Sequence, residues 1–595
     1  MPEPDLVLLH APSVYDFRQE AILYGPIGDF APAPFAFEIL PLGYAALAGY
    51  LERAGYDVRI LNLAQRMLDD PGFDAEAAVD SLNPLAFVID FHWLSQAQGA
   101  LAVAQIVKTL HPETPVILEG FAATYYHREL INYPQVNCIL RGDSTEEPLS
   151  QLIECLSLGR VPEQVPGLTW RSRSGHVIDN PARLPPPSLD DLHMGGSNSS
   201  FNYQTGYPAM VGLMARGCIQ NCLTCGGSAY AYQRVHGRLT PGYRSPELLA
   251  RDLKDACNYD GGPVYIPCDI TQAGMDYAYR FLRAMRGFPR LIWLDLLQPV
   301  PRKFLQDVTE ALPHLALQIV MGSHDPQVRK AAGKHYTNPA IEQTITNALS
   351  LGCECLHLRF TIGLPYQDYD SVMATVAYCD GLFSRFGDGG RLQISITPLM
   401  PFLDPGSIAF EEPEANGYRL LHHSLEDHRR ALLSPTWKHV LNYETRWMTG
   451  DDIVRATYDA TVELARLRAR HGLIPEEQAR AVETLVNQTR QLMAQIEHVM
   501  ALDDIDQLQE TLRTLKPEID RVNLAGSWYG KFRSAEGRHA PQRPIDTSYT
   551  SASGNTRGVL GLLKRWWKRH NNFSRKVAKS PPTRVSCDWF RPPPM

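Results

Sequence analysis

The chain has 595 residues, of which 44% are hydrophobic and 21% charged, and its formal net charge is −8. This length predicts roughly three or four domains, and the negative charge argues against a general nucleic-acid binder. No segment approaches the ~18 unbroken apolar residues of a membrane span, and the first residues lack a signal-like pattern. We therefore expect a cytoplasmic protein, whose eleven cysteines are better suited to metal binding or chemistry than to disulfides.

Residues 1–160 predict a doubly wound, Rossmann-like parallel sheet. Continuous apolar runs alternate with helical patterns, as expected for strands covered by helices on both faces. The predicted strands are DLVLLH (5–10), DVRILNL (57–63), LAFVID (85–90), PVILEG (115–120) and VNCILRG (136–142). Such a sheet binds ligands beyond the carboxyl ends of its strands, and polar or glycine-bearing loops follow the last three of these strands.

A change of composition predicts a hairpin and linker over residues 161–208, because a hairpin-like segment with a Ser-Gly turn precedes a stretch rich in Pro, Gly and Ser. Residues 209–410 then predict six strand and helix units, enough for a partial (β/α)6 TIM-like barrel. The predicted strands are AMVGLMA (209–215), PVYIPCD (263–269), RLIWLDL (290–296), LALQIVM (315–321), CLHLRFTIG (355–363) and RLQISITP (391–398).

The last two of these strands each carry one polar face. The residues that alternate with apolar ones are Cys355, His357, Arg359 and Thr361 in one strand and Gln393, Ser395 and Thr397 in the other. Because the outer face of a barrel packs on helices, this polar set should point inward and line a polar cavity. An antiparallel sheet with one solvated face would give the same alternation, and it remains an alternative.

Three cysteines, Cys218, Cys222 and Cys225, are spaced C-x3-C-x2-C directly after the first strand of the predicted barrel, within ARGCIQNCLTCGGS (215–228). Three thiolates could be three of four zinc ligands, but no second CxxC or HxxxH lies nearby to close such a site. A four-iron cluster fits better, since three cysteines leave one iron open for a substrate or cofactor. Three incidental cysteines in a turn are the remaining alternative.

This cysteine motif resembles that of the radical S-adenosylmethionine (SAM) superfamily. FTIGLPYQD (360–368) is similar to the fifth-strand motif of the family, and PLMPFLDPGS (398–407) to the segment after its sixth strand. The preceding domain resembles the cobalamin-binding fold of the cobalamin-dependent branch, through LPLGYAALAGYLERAGYDVRILNL (40–63), LEGFAATYY (118–126) and LRGDSTEEPL (140–149). The resemblance covers roughly residues 1–410. It implies a [4Fe-4S] cluster on the three cysteines, SAM on the open iron, and cobalamin on the first sheet.

The resemblance also implies which residues contact the cofactors. The residues expected at SAM are Gly226, Gly227, Ser228, Asp269 and Arg359, and those expected at cobalamin are His92, Gly120, Thr124, Gly142 and Asp143. Arg359 could pair with the SAM carboxylate, or with a carboxylate of the barrel itself. His92 could be an axial ligand of cobalt or a neutral structural histidine, in which case cobalt has no protein imidazole.

The implied reaction is reductive cleavage of SAM at the cluster, followed by methyl transfer from methylcobalamin to an unactivated carbon of a small-molecule or peptide substrate. A ring-forming or rearranging enzyme without methyl transfer is an alternative, and a cobalamin or redox sensor without turnover is another. The family also implies an electron donor such as flavodoxin or ferredoxin as a partner.

Residues 411–530 predict a helical C-terminal domain, since they are rich in helix formers with periodic apolar positions. Residues 531–595 form a basic tail, which we expect to be partly disordered. Its segment 557–591 holds ten Lys or Arg and one Asp. Surface binding to an anionic lipid face or an acidic partner is one interpretation, and a docking tail with a solvated basic face is the other.

Overall fold

The computed structural model describes residues 3–24, 42–186, 188–192, 210–256, 263–399, 402–502 and 504–529. Residues 187 and 193–208 of the predicted linker and the whole basic tail lie outside the described residues. No described helix is long and apolar enough to cross a membrane.

The first unit is a seven-stranded sheet in the order β2-β1-β3-β4-β5-β6-β7. Its strands are β1 (Leu6–His10), β2 (Val58–Asn62), β3 (Ala86–Asp90), β4 (Val116–Glu119), β5 (Cys138–Leu140), β6 (Leu168–Arg171) and β7 (Val177–Asp179). The first five strands pair in parallel, whereas β6 and β7 form an antiparallel hairpin that joins the sheet at β5. The segment after residue 160 therefore begins as a continuation of the first sheet.

Helices cover both faces of this sheet. They are α1 (Leu42–Arg53), α2 (Leu63–Asp69), α3 (Ala75–Asp80), α4 (Ala97–Leu110), α5 (Phe121–Tyr125), α6 (His127–Leu130) and α7 (Glu146–Ser157). Leu8 of β1 is buried in one core with α1 and α7, and its neighbour Leu9 is buried in the opposite core with α4. Burial on both sides explains why the strands are continuous apolar runs.

The second unit is a six-stranded sheet whose strands are all parallel and whose spatial order follows the chain. Its strands are β8 (Met210–Val211), β11 (Val264–Ile266), β12 (Ile292–Leu296), β13 (Leu315–Gly322), β14 (Cys355–Ile362) and β15 (Leu392–Pro398). The antiparallel alternative for the polar faces of β14 and β15 is therefore wrong. A short antiparallel pair, β9 (Ala215–Arg216) and β10 (Gly242–Tyr243), follows β8.

The helices of this unit are α8 (Ala229–His236), α9 (Pro246–Ala256), α10 (Met275–Met285), α11 (Arg302–Ala311), α12 (Pro326–Ala331), α13 (Asn338–Ser350) and α14 (Tyr369–Phe386). Of these, α9, α10, α11, α13 and α14 contribute residues to the core on the apolar face of the sheet, which they share with Leu356, Leu358 and Phe360 of β14. The intervening residues of the same strand, including His357 and Arg359, lie on the opposite face, which we call the polar face.

The C-terminal region contains α15 (Ile408–Glu411), β16 (Tyr418–Leu420), α16 (Leu425–Ala431), β17 (Tyr443–Thr445), α17 (Gly450–Arg470), α18 (Glu476–Met500) and α19 (Ile505–Tyr529). The long helices agree with the predicted helical domain, but β16 and β17 form an antiparallel pair that the helical prediction did not include. Strands of three residues are too short to give a periodic sequence signal.

The C-terminal region also holds segment 20–24, which lies beyond β1. The N–H of Leu23 donates to Pro435 O at 2.9 Å. The N–H of Tyr24 donates to the Oδ1 of Asn523 at 3.0 Å, and Asn523 Nδ2 donates to Ile22 O at 2.8 Å. The segment is therefore fixed by residues that come more than 400 positions later.

Candidate active site

The three cysteines of the C-x3-C-x2-C motif lie on one loop between β9 and α8. Backbone N–H groups point at two of the sulfurs: Gln220 donates to Cys218 at 3.4 Å, and Gly227 donates to Cys225 at 3.3 Å. Burial raises the pKa of Cys218 and raises that of Cys225 to about 12. Because the thiolate is the metal-binding form, these sulfurs need a bound cation to hold them ionised.

Two other segments brace this cysteine loop. After α12, Gly333 lies so close that a Cβ there would be 2.7 Å from Asn221 O, and Leu223 N–H donates to Ala332 O at 3.3 Å. After β15, Asp404 accepts from Gly226 N–H at 2.8 Å, and a Cβ on Gly226 would lie 2.9 Å from the Asp404 Cβ. The sequence did not single out Gly333 or Asp404. The only available signal was the resemblance of 398–407 to a family segment.

The loop does not have the arrangement of a single-ion site. Within the described ranges, no three His, Cys, Asp or Glu side chains converge closely enough to hold one metal ion. Structural zinc sites require four such ligands around one ion at about 2.0–2.3 Å. The cluster and the zinc site both stay predictions for this loop; a four-iron cluster would take one thiolate on each of three irons and leave the fourth iron open.

The polar face of the second sheet carries a chain of hydrogen bonds that crosses five neighbouring strands. Tyr265 OH donates to Asp295 Oδ2 at 3.1 Å, and Gln318 Nε2 donates to Asp295 Oδ1 at 2.9 Å. His357 Nδ1 is 3.2 Å from Gln318 Oε1, and His357 Nε2 is 3.0 Å from Ser395 Oγ. We call these five residues the polar relay.

The direction of the polar relay follows from its chemistry. An amide oxygen only accepts, so His357 Nδ1 carries the proton and Nε2 accepts from the Ser395 hydroxyl. Burial, together with the nearby Arg359 and Arg468 guanidiniums, lowers the pKa of His357 to about 3. Burial also raises the pKa of Asp295 to about 6, although its hydrogen bonds from Tyr265 and Gln318 oppose this shift. His357 is therefore neutral at physiological pH.

The two charged residues expected at SAM differ in their surroundings. Both carboxylate oxygens of Asp269 already accept hydrogen bonds, from Thr271 N–H at 2.8 Å and from Leu297 N–H at 3.0 Å, so Asp269 ties together the turns after β11 and β12. No carboxylate oxygen of the described residues lies within the 4.0 Å of an ion pair from the Arg359 guanidinium, but its positive charge acts to lower the pKa of the Asp295 carboxyl. Pairing with the SAM carboxylate and pairing with a barrel carboxylate both stay predictions for Arg359.

Polar side chains also gather at the carboxyl edge of the first sheet. His10 ends β1 and Asp90 ends β3, with 3.4 Å between His10 Nδ1 and Asp90 Oδ2, and Glu119 is paired with Asp90 in the register of β4. Ser13, Asp90 and Ser95 are 0–2% exposed. Among the described residues, Ser13 Oγ, Asp90 Oδ2 and Ser95 Oγ have no hydrogen-bond partner. Buried polar atoms without partners are rare, and a polar ligand bound at this edge would satisfy them.

The glycines and threonine expected at cobalamin meet at this edge. Gly120 has φ of +115°, and a Cβ there would lie 2.8 Å from the backbone of Phe91 and His92. Thr124 Oγ1 donates to Gly120 O at 2.7 Å and accepts from Gly142 N–H at 3.1 Å. The loops after β3, β4 and β5 are thus bonded to one another.

His92 lies where this edge meets the second unit. Its ring contacts Phe121 at 6.4 Å between centroids, and Phe121 contacts His236 of α8 at 5.1 Å. Burial lowers the pKa of His92, with the Asp90 carboxylate opposing the shift. His92 therefore presents a neutral imidazole beside aromatic rings, and both of its expected roles require that form.

Asp143 and Glu146, which follow β5, contact the second unit directly. The Asp143 carboxylate pairs with Arg238, and the Glu146 carboxylate pairs with Arg216 at 2.5 Å. Asp143 is thus engaged with a protein side chain at the position where cobalamin contact was expected. The carboxyl edge of the first sheet and the cysteine loop are parts of one contiguous site.

We expect replacement of Glu119 by Gln to stabilise the cofactor-free protein at alkaline pH. Burial, together with the neighbouring Asp90 and Glu146 carboxylates, raises the pKa of Glu119 to about 8. A carboxyl whose pKa is raised on folding destabilises the protein as pH rises. The free energy of unfolding falls by up to about 1.4 kcal/mol per pH unit between the unfolded-state pKa and the folded-state pKa of that carboxyl. Glu119→Gln should remove this loss.

Urea unfolding at pH 5 and pH 8 would measure this effect. The variant and the wild type should be alike at pH 5, and the variant should be more stable at pH 8. The exposed neighbour Glu147 offers a matched control, since Glu147→Gln should change little at either pH. An equal difference between Glu119→Gln and wild type at both pH values would contradict the assigned protonation.

A family model described as the B12 binding domain matches residues 30–150. The chain is 25% identical over 227 residues to the hopanoid C-3 methylase of Methylococcus capsulatus. This alignment covers 36% of this chain and 40% of that protein. It is 22% identical over 298 residues to the cytidylyl-2-hydroxyethylphosphonate methyltransferase of Streptomyces wedmorensis, covering 42% and 55% of the two chains. This chain thus spans about half the length of the curated relatives it matches.

Two solved structures are similar over most of the chain. The radical SAM methyltransferase TsrM of Kitasatospora setae, with tryptophan and a SAM analogue bound, aligns with a TM-score of 0.55 at 15% identity, covering 78% of this chain and 89% of that one. The cobalamin-dependent SAM radical enzyme OxsB, with aqua-cobalamin and SAM bound, aligns with a TM-score of 0.52 at 15% identity, covering 96% and 85%. The resemblance to cobalamin-dependent radical SAM enzymes is confirmed for the fold and the B12-binding domain.

Proposed function

We propose that this chain is a cobalamin-dependent radical SAM enzyme that moves a methyl group from methylcobalamin to an unactivated carbon of a small-molecule or peptide substrate. The observation that carries the proposal is the contiguity of the cysteine loop with the carboxyl edge of a B12-binding sheet, through the Arg216–Glu146 and Arg238–Asp143 pairs. The names of the two curated relatives, a methylase and a methyltransferase, favour methyl transfer over ring formation or rearrangement.

In this proposal the second sheet is the partial (β/α)6 barrel, and Cys218, Cys222 and Cys225 hold a [4Fe-4S] cluster. When bound, the cluster and SAM supply an adenosyl radical, and cobalamin supplies the methyl group. The cysteine loop holds the three thiolates, and its N–H groups at Gln220 and Gly227 stabilise their negative charge. Gly226 and Gly227 let the backbone come close to SAM, and Ser228 caps α8 beside it.

The polar face of the barrel would orient SAM and the substrate. Arg359 lies on that face, where its positive charge also acts on Asp295, and its guanidinium would pair with the SAM carboxylate. His357 lies beside Arg359 on the same face and is neutral, so it does not repel a positively charged ligand bound there. Asp269 has no free carboxylate oxygen, so its proposed contribution is to shape the loop that faces SAM.

The carboxyl edge of the first sheet would hold cobalamin. The hydroxyls of Ser13 and Ser95, which have no hydrogen-bond partner among the described residues, fit the amide side chains that surround a corrin ring. Gly120 allows the loops after β3 and β4 to pack closely, and Thr124 bonds to Gly120 and Gly142, so these residues would shape the edge that such a ring approaches. His92 faces the same space, and Asp143 would act there through the position of its loop.

The proposal is tested by metal content and turnover after anaerobic purification and reconstitution with iron, sulfide and cobalamin. We expect about four irons and one cobalt per chain, and cleavage of SAM to 5′-deoxyadenosine and methionine when flavodoxin or a chemical reductant supplies electrons. Zinc in place of iron would contradict the radical mechanism. Both metals without any SAM cleavage would favour the sensor alternative.

A further inference from the structure

Two buried ion pairs join the first unit to Arg216, which precedes the cysteine loop, and to Arg238, which follows α8. Arg216 pairs with Glu146, and the two side chains are 10% and 8% exposed; Arg238 pairs with Asp143, and these are 2% and 4% exposed. Ser144 lies between the pairs, because its Oγ accepts from Arg216 Nη1 at 3.2 Å and from Arg238 Nη2 at 3.3 Å. We call these five residues the interdomain clamp.

On the side of the second unit, the interdomain clamp brackets the cysteine loop. Arg216 comes two residues before Cys218, and Arg238 follows α8, the helix that begins just after Cys225. Arg238 also packs on the loop itself, since a Cβ at Gly217 would lie 3.2 Å from the Arg238 Cδ. Any ligand that orders this loop therefore also fixes both guanidinium groups.

On the side of the first unit, the interdomain clamp continues into the carboxyl edge of the sheet. Thr145 donates to Glu119 Oε2 at 3.4 Å, and Gly142 N–H donates to Thr124 Oγ1 at 3.1 Å. These contacts connect the clamp to the loops after β4 and β5. A ligand seated on that edge thus restrains the same carboxylates that hold Arg216 and Arg238.

A role in stability alone would not account for this placement. Buried ion pairs add little net stability compared with well-packed apolar residues, because desolvation offsets their attraction, yet removing one partner leaves an uncompensated charge. Buried ion pairs do fix the relative position of the groups they join, and here they fix the loop after β5 relative to the cysteine loop. Ordering one loop then lowers the entropy cost of ordering its partner, which is a coupling free energy between two ligands.

We propose that the interdomain clamp couples the two cofactor sites, so that a cluster on the cysteine loop strengthens corrinoid binding at the first sheet, and corrinoid binding strengthens retention of the cluster. Arg216, Arg238, Asp143 and Glu146 are positioning residues in this scheme. The inference rests on the proposed function, and it adds that the two sites are not independent.

The test compares hydroxocobalamin binding by the full-length protein in its cluster-loaded form and in a cluster-free form prepared by chelation. Equilibrium binding followed by the corrinoid absorbance gives a Kd for each form. We expect the wild-type Kd to be about tenfold lower with the cluster present, within the usual range of coupling between sites. No hydroxocobalamin binding in either form would overturn the proposed function, and the inference with it; binding with equal Kd values would overturn the inference alone.

Variants separate coupling from a purely structural role. In Glu146→Gln the ratio of the cluster-free Kd to the cluster-loaded Kd should fall towards one. Arg216→Lys keeps the positive charge but loses the two-point contact with Glu146, so it should give an intermediate ratio. Arg216→Lys also replaces Glu146→Gln as the test if that variant does not fold. The matched control is Asp252→Asn, which breaks an equally buried pair with Arg244, 2.6 Å apart, inside the second unit. That control should keep the wild-type ratio; a wild-type ratio in Glu146→Gln and Arg216→Lys would overturn the proposal.

Discussion

Replacement of Cys222 by Ala is expected to remove iron from the protein and to abolish SAM cleavage. The loop offers three thiols for a cluster of four irons, so the loss of one leaves two anchors for an assembly that needs three. Iron should fall from about four per chain to background, and the cluster absorbance should disappear. The same result is expected for Cys218→Ala and Cys225→Ala.

The control for this prediction is Cys268→Ala. Cys268 lies near enough to Cys218 for the two to influence each other electrostatically, and burial raises the pKa of its thiol to about 12, but it is not part of the C-x3-C-x2-C motif. The Cys268 variant should keep its iron. At saturating cobalamin, the Cys222 variant should still bind cobalt, because the carboxyl edge belongs to a separate sheet. Full iron content in Cys222→Ala would contradict the cluster assignment.

Replacement of Gly120 by Ala is expected to abolish cobalamin binding while leaving the cluster in place. The φ of +115° at this residue is costly for any residue with a side chain, by about 1–3 kcal/mol, and the added Cβ would also meet backbone atoms of Phe91 and His92 at 2.8 Å. The loop after β3 or the loop after β4 must then move. Cobalt per chain should fall from about one to near zero, whereas iron should stay near four per chain when reconstitution supplies excess iron and sulfide.

A control variant at a second glycine separates the effect of backbone strain from the effect of the Cβ collision with Phe91 and His92. Gly175, in the hairpin of β6 and β7, has φ of +82°, and a Cβ added there would meet no atom within 4 Å. Gly175→Ala should therefore lower stability slightly and keep cobalt. Wild-type cobalt content in Gly120→Ala would show that this edge does not hold the corrinoid. Loss of both metals together with loss of the far-UV circular dichroism signal would indicate general unfolding.

The parallel sheets were predictable because their signal is local. Leu8 and Leu9 face opposite cores, so β1 had to be apolar throughout, and the alternation around His357 and Arg359 in β14 reflects one covered face and one polar face. Both patterns can be recognised from consecutive residues of the sequence. The cysteine motif is local in the same way, since its three thiols lie within eight positions.

What could not be predicted depends on contacts between distant residues. Nothing near Asp404 indicates that it receives the N–H of Gly226, 178 positions away in the chain. The polar relay needs the register of five strands before His357 can be placed between Gln318 and Ser395. Asp143 was expected to face cobalamin, and only the three-dimensional structure places its carboxylate against Arg238.

Segment 20–24 imposes an order on the folding of the newly made chain. Tyr24 is bonded to Asn523, 499 positions later, so this early segment leaves the ribosome long before its partner is made. At about 5–20 residues per second, synthesis takes on the order of 25–100 s to reach that partner. The first sheet can form during this interval, whereas the hydrogen bonds of Ile22 and Tyr24 to Asn523 can form only after α19 has been made. A chain cut short before α19 would lack these bonds, and faster proteolysis at segment 20–24 would identify incomplete molecules.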